Sequence, residues 1–101
     1  MAVNIYISQL LDCYGLILSE KQRRILDGYY NNDLSLTEIA ENEGITRQGV
    51  GDFIKRSEAQ LVEFEEKLGL CKTISVLKGK AEEVKSDNSR LTELIEIIDK
   101  L

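Results

Sequence analysis

Apolar positions recur along this chain at steps of three and four residues, and no proline interrupts the 101 residues. That period is the signature of amphipathic helices. Val3, Tyr6, Ile7, Leu10, Tyr14 and Ile17 define a first stripe, predicted to end near Gly15. The run Ser19-Glu20-Lys21-Gln22 has the form of a capping box and opens a second helix with Ile25, Leu26, Tyr29 and Tyr30 on its apolar face. Turn chemistry at Asn31-Asn32-Asp33 stops it. Ser35 and Glu38 repeat the capping device ahead of a short third helix that carries Leu36, Ile39 and Ala40 inward. Gly44 marks a bend, and Thr46 is a fitting cap for a fourth helix carrying Val50, Phe53, Ile54, Ser57, Leu61, Phe64 and Leu68. The charged run at 63–67 is expected on the solvated side of that helix, and Gly69 is its expected stop.

The last third reads differently. Ile74, Leu77, Ala81, Val84, Asn88, Leu91, Ile95 and Ile98 are spaced 3, 4, 3, 4, 3, 4 and 3, which is a heptad seam with Asn88 at an a position. This predicts a C-terminal amphipathic helix over 71–101 that forms a homodimer, packs on its own core, or trails as a loose tail. Leu94 and Leu101 widen the stripe and favour packing. The predicted fold is all-α: a four-helix unit over 1–70 plus this C-terminal element.

Within the unit, residues 36–56 have the layout of a helix-turn-helix. Such a motif needs a small residue at the helix crossing, a permissive turn residue and apolar anchors for the second helix, and Ala40, Gly44, Ile45, Val50 and Phe53 supply them. Glu43 departs from the pattern by replacing an apolar residue; at a helix end its carboxylate is expected to swing to water. The second helix presents Arg47, Gln48, Gly51, Asp52 and Lys55 outward. Arg47 and Gln48 carry donors for phosphate or base edges. Gly49 and Gly51 each cost roughly 1 kcal/mol of helix propensity against alanine, and Gly51 leaves a bare spot where a reading side chain normally projects.

Charge sharpens this picture. The net charge of −5 concentrates in residues 19–68, where seven basic residues face eleven acidic ones. Affinity for DNA of any sequence comes mainly from Lys and Arg neutralising phosphates, so an ordinary duplex binder is disfavoured. The cations do cluster, however: Lys21, Arg23 and Arg24 on the second helix, and Arg47, Lys55 and Arg56 on the fourth. Together with Gln48 they are the candidate nucleic-acid contacts, either a shallow strip for structured RNA or an acidic protein surface, or else a solvated face balanced by Glu20, Asp27 and Glu58.

Catalytic chemistry finds no foothold. There is no histidine, no nucleophile elbow and no phosphate-cradling glycine loop, so no catalytic residue, metal or cofactor is expected. Cys13 and Cys71 lie 58 positions apart without metal-ligand spacing and are expected as free thiols packed as small hydrophobes. The N-terminal stretch is apolar but lacks a basic leader and is broken by Asn4, Ser8, Gln9 and Asp12, so neither a signal peptide nor membrane insertion is expected, and a cytoplasmic location follows.

Residues 10–68 carry the runs "YG", "L-EKQR" with a following "YY", "DLSL-EIAE", "RQ-V-D-IKR" and "EEKL". In these the chain resembles the UPF0122, or YlxM-like, family, and more distantly the helix-turn-helix region four of bacterial sigma factors. The resemblance implies an all-helical fold and an accessory or regulatory role in the signal recognition particle pathway, through binding of the particle's RNA or its GTPase. The alternative it implies is a DNA-binding transcription regulator. Where Gly49 and Gly51 stand here, the family usually has an alanine and a tyrosine. Residues 73–101 carry little of the family's motif.

Overall fold

The computed structural model describes residues 4–84 and 89–101. Among them are six helices: α1 (Ile5–Tyr14), α2 (Glu20–Tyr30), α3 (Leu36–Glu43), α4 (Arg47–Leu68), α5 (Leu70–Val84) and α6 (Ser89–Asp99), with a short 3₁₀ turn at Gly15–Ile17 after α1. The all-α fold with a helix-turn-helix formed by α3 and α4 is as the sequence predicts.

Local chemistry sets the helix starts. Ser19 Oγ accepts from the Gln22 amide at 3.1 Å while Gln22 Oε1 accepts from the Ser19 amide at 3.0 Å. Ser35 and Glu38 do the same for α3 at 3.0 and 3.1 Å. Each box satisfies two backbone donors that the helix itself leaves without partners. Thr46 caps α4 by accepting from the Gly49 amide at 3.0 Å. Gly44 and Gly69, with φ of +70° and +59°, end α3 and α4 in the left-handed conformation that a side chain would strain.

The 22-residue α4 is the spine of the molecule and packs against α1, α2, α3 and α5. Ile7, Leu10, Leu11, Tyr14, Leu18, Ile25, Leu26, Ile39, Ala40, Val50, Ile54 and Leu61 close into one buried core. The predicted stripe of α1 needs correcting, because Tyr6 and Ile17 are exposed at 49% and 57% while Leu11 and Leu18 are buried. The inward set 7, 10, 11 and 14 is a single helical face. The 3₁₀ turn then rotates the register, so Leu18 turns in and Ile17 out. Val3 lies outside the described residues.

The heptad stripe also resolves differently, onto two helices instead of one. α6 returns along α5, and Ala81, Ile95 and Ile98 form a small cluster with Ile74 packed on it. Lys78 and Asp99 close the open end of this hairpin at 3.3 Å. Four of the seam positions, Ile74, Ala81, Ile95 and Ile98, thus pack on one another across the hairpin. The predicted positions Leu77 and Val84 stay exposed. Asn88 and the side chain of Leu91 lie outside the described residues.

The corner between α4 and α5 is fixed by hydrogen bonds. The Tyr14 hydroxyl accepts from the Leu70 amide at 3.1 Å, and Glu65 accepts from the amides of Cys71 and Lys72 at 3.0 and 3.1 Å. Tyr14 donates its own proton to Glu65 Oε1 at 2.5 Å. The first three amides of α5 are thereby satisfied from α1 and α4, and the chain turns at Gly69 instead of continuing as one rod. Glu65 therefore does not sit on the solvated face expected for the 63–67 run.

Candidate nucleic-acid interface

The tip of α4 is built to be seen from outside. Arg47 and Gln48 are its first two residues, and both are exposed. With Gly51, Asp52 and Lys55 they lie on one helical face and, together with Leu36 of α3, line a shallow depression of about 540 Å³. At Gly51 an added Cβ would meet no heavy atom within 4 Å. The floor of the depression is bare backbone, open to close approach.

Electrostatics separate this end from the starts of α2 and α3, though α1, α5 and α6 likewise lack a first-turn acid. α2 and α3 carry Glu20 and Glu38 in their first turns, but the first turn of α4 has no acidic residue. The positive end of the α4 dipole is therefore reinforced by Arg47 rather than neutralised. Among the described residues, Arg47, Lys55 and Arg56 enter no ion pair. Arg56 lies roughly 100° further round the helix than Lys55, beside the depression instead of in it.

The cations of α2 are deployed otherwise. Arg24 donates through Nε and Nη2 to both oxygens of Glu43, each at 2.8 Å. This bidentate pair holds the Glu43 carboxyl below its ordinary range, with Lys21 nearby adding to the effect. Glu43 is thus clamped to α2, contrary to the expectation that it turns to water. A carboxylate can replace the usual apolar residue because α2 supplies its counter-charge. Lys21 Nζ stands 5.2 Å from the Phe53 ring centroid, a cation–π contact onto α4. Arg23 and Arg24 line a second depression together with Asp12, Glu20 and Asp27, a mixed-charge setting. Arg47, Gln48 and Lys55 come together, Arg56 flanks them, and Lys21, Arg23 and Arg24 do not join them.

Farther along α4 the polar side chains are committed to packing. Gln22 Nε2 donates to Gln60 Oε1 at 2.7 Å and to the buried Ser57 Oγ at 3.4 Å. Tyr30 donates to Glu58, and burial together with that carboxylate raises its phenol above the ordinary value. The Tyr14–Glu65 pair holds Glu65 below the ordinary carboxylate range, chiefly through the donated hydroxyl proton.

The sequence reading missed the roles of Tyr14, Glu65 and Glu43. For Glu65 a signal exists: a carboxylate one turn before a glycine stop can reach the amides of whatever helix begins after the turn.

Comparison with known proteins places this geometry. The family model for YlxM / p13-like helix-turn-helix proteins, UPF0122, matches residues 1–101. The chain belongs to the UPF0122 family. It is 41% identical over 103 residues to a UPF0122 protein of Thermoanaerobacter sp. (strain X514), covering 96% of this chain and 88% of that one. A UPF0122 protein of Clostridium kluyveri is 46% identical over 101 residues, covering all of this chain and 82% of the relative. One from Acetivibrio thermocellus is 53% identical over 78 residues, covering 77% of this chain and 67% of the relative. No described helix is long and apolar enough to cross a membrane.

Proposed function

We propose that this UPF0122 member is a non-enzymatic, cytoplasmic nucleic-acid-binding accessory protein, and that its ligand is the structured RNA of the signal recognition particle. The observation that carries the proposal is the tip of α4. Arg47, Gln48 and Lys55 surround exposed backbone at Gly51, on a helix end without a first-turn acid. Three donors around a bare floor suit a phosphate backbone that approaches closely, and RNA is recognised largely through phosphates, sugar hydroxyls and shape.

Base reading in duplex DNA, the alternative for this scaffold, fits less well. Duplex DNA is read through side chains that reach base edges, and Gly51, at the centre of the face, has none. The pathway assignment rests on the family resemblance in residues 10–68.

The test is fluorescence anisotropy of labelled particle RNA across a salt series, with random duplex DNA as comparator. The proposal expects RNA to bind well above DNA, with a log–log salt slope of about two to three, one counterion for each contacting cation. Equal binding to both would move the reading to a DNA regulator. Binding to neither would direct the search to the particle's GTPase and to the C-terminal hairpin.

A further inference from the structure

Cys13 and Cys71, 58 positions apart in sequence, meet in the fold. Cys13 lies in the last turn of α1 and Cys71 in the first turn of α5, and both are half-buried free thiols packed on the edge of the main core. They line one side of an open groove that also holds Gln9, Glu65, Gly69 and Ile74. Cys71 Sγ donates weakly to the Gln9 carbonyl at 3.8 Å, one turn before Cys13 on the same face of α1. Burial, with the neighbouring Cys71 thiol and then Glu65 and Asp12 adding to it, pushes the Cys13 thiol up to about 12. Two neighbouring thiols that pack on the core edge also border one solvent-accessible groove, where a small oxidant can reach them.

We propose that Cys13 and Cys71 form a reversible dithiol–disulfide site that peroxides oxidise, cross-linking α1 to α5. Cys71 stands in the first turn of α5, at the positive end of that helix, and its sulfur attacks first. It breaks the O–O bond of hydrogen peroxide to give a sulfenic acid at Cys71 and one water. The Cys13 sulfur then displaces the sulfenic oxygen, which leaves as a second water with the remaining thiol proton, and the S–S bond forms. Two thiols lose two electrons and two protons, and one peroxide is reduced to two waters. Thiol reductants reverse the step by exchange.

The position gives the bond a consequence. Cys71 is the second residue after Gly69, within the corner that Tyr14 and Glu65 tie with hydrogen bonds. A disulfide there replaces a breakable corner by a covalent one and closes a loop of 58 positions, which restricts the unfolded chain and stabilises the folded one. In a reducing compartment such a bond forms transiently, as a sensor does, rather than as permanent bracing. The site is remote from the α4 tip, so the proposal stands independently of what that tip binds.

The experiment treats the full, reduced chain with a small excess of hydrogen peroxide and follows intact mass under denaturing, non-reducing conditions, together with thiol titration and melting temperature. The expected result is a monomer whose mass falls by two hydrogen atoms, with both thiols lost together and a linked 13–71 peptide pair. Its melting temperature rises, and dithiothreitol restores the starting state. Oxygen addition without loss of two hydrogens, disulfide-linked dimers, or persistence of both thiols would overturn the proposal. The Cys13→Ser variant, a near-isosteric change, is expected to stop at a Cys71 sulfenic acid trapped by dimedone. An unlabelled Cys71 in that variant would contradict the order of attack.

Discussion

The two ends of α4 use polar side chains in opposite ways. At the N-terminal tip, Arg47, Gln48 and Lys55 stand exposed around bare backbone, without ion-pair partners among the described residues. Past Ser57, the interhelical polar contacts are spent inside the molecule: Gln22 to Ser57 and Gln60, Tyr30 to Glu58, and Tyr14 with Glu65 to the amides of α5. Residue type alone does not separate functional charges from structural ones on the same helix. The neighbours do, and they come from α1, α2 and α5, far away in sequence.

This contrast is best broken where the structural end is most buried. Leu61 is fully buried beneath the polar seam, and Leu61→Ala is expected to cost about 3 kcal/mol, a cavity-forming loss read by urea denaturation. Tyr14→Phe removes one donor and one acceptor at the corner and is expected to cost about 1 kcal/mol. It should also speed hydrogen exchange at the Leu70, Cys71 and Lys72 amides beyond the global change. Uniform acceleration through α4 and α5 would deny the corner its local role.

Acid probes one carboxylate at each end. Glu65 and Glu43 both have carboxyls held below 4.5, by Tyr14 and by Arg24 respectively. A depressed carboxyl contributes stability that is complete above the unfolded-state value and is lost as pH falls through the folded one. Melting temperature is therefore expected to drop on acidification below about pH 4.5. Glu65→Gln is expected to lower it at neutral pH and flatten that acid slope. An unchanged slope would place the acid sensitivity elsewhere.

At the tip the expected effect on folding is smallest and of opposite sign. Gly51→Ala adds a methyl into open space on a helix and is expected to stabilise by up to about 1 kcal/mol. A loss of stability would mean that the depression is not open as described.

The helical plan was legible because its signals are local. Capping boxes at Ser19 and Ser35, the cap at Thr46 and the glycine stops at 44 and 69 act within a few residues of themselves, and each stands where the pattern puts it. Tyr6 and Ile17 were misplaced because periodicity gives a stripe but not the angle at which α1 meets α4. The C-terminal stripe was read as one helix because a heptad pattern is equally consistent with two halves folded on each other; Ser86, Asp87 and Asn88, all turn-forming types, were the available warning. The candidate cations were legible as a set but not as a site. Nothing in the spacing of Arg24 and Glu43, or of Lys21 and Phe53, announces that the fold pairs them. Cys13 and Cys71 were hidden for the same reason, since only tertiary packing joins α1 to α5.

The central claim is that the α4 tip carries charges free for a partner. It is tested most directly by the affinity of Arg47→Glu/Lys55→Glu for labelled signal recognition particle RNA, beside a control of equal charge change on the hairpin, Lys80→Glu/Lys100→Glu. Both double variants are expected to keep the wild-type helical signal, with stability shifted by no more than about 0.5 kcal/mol per substitution. The tip variant is expected to lose RNA binding, while the control binds nearly as wild type. Equal weakening of both variants, or retained binding by the tip variant, would contradict the account.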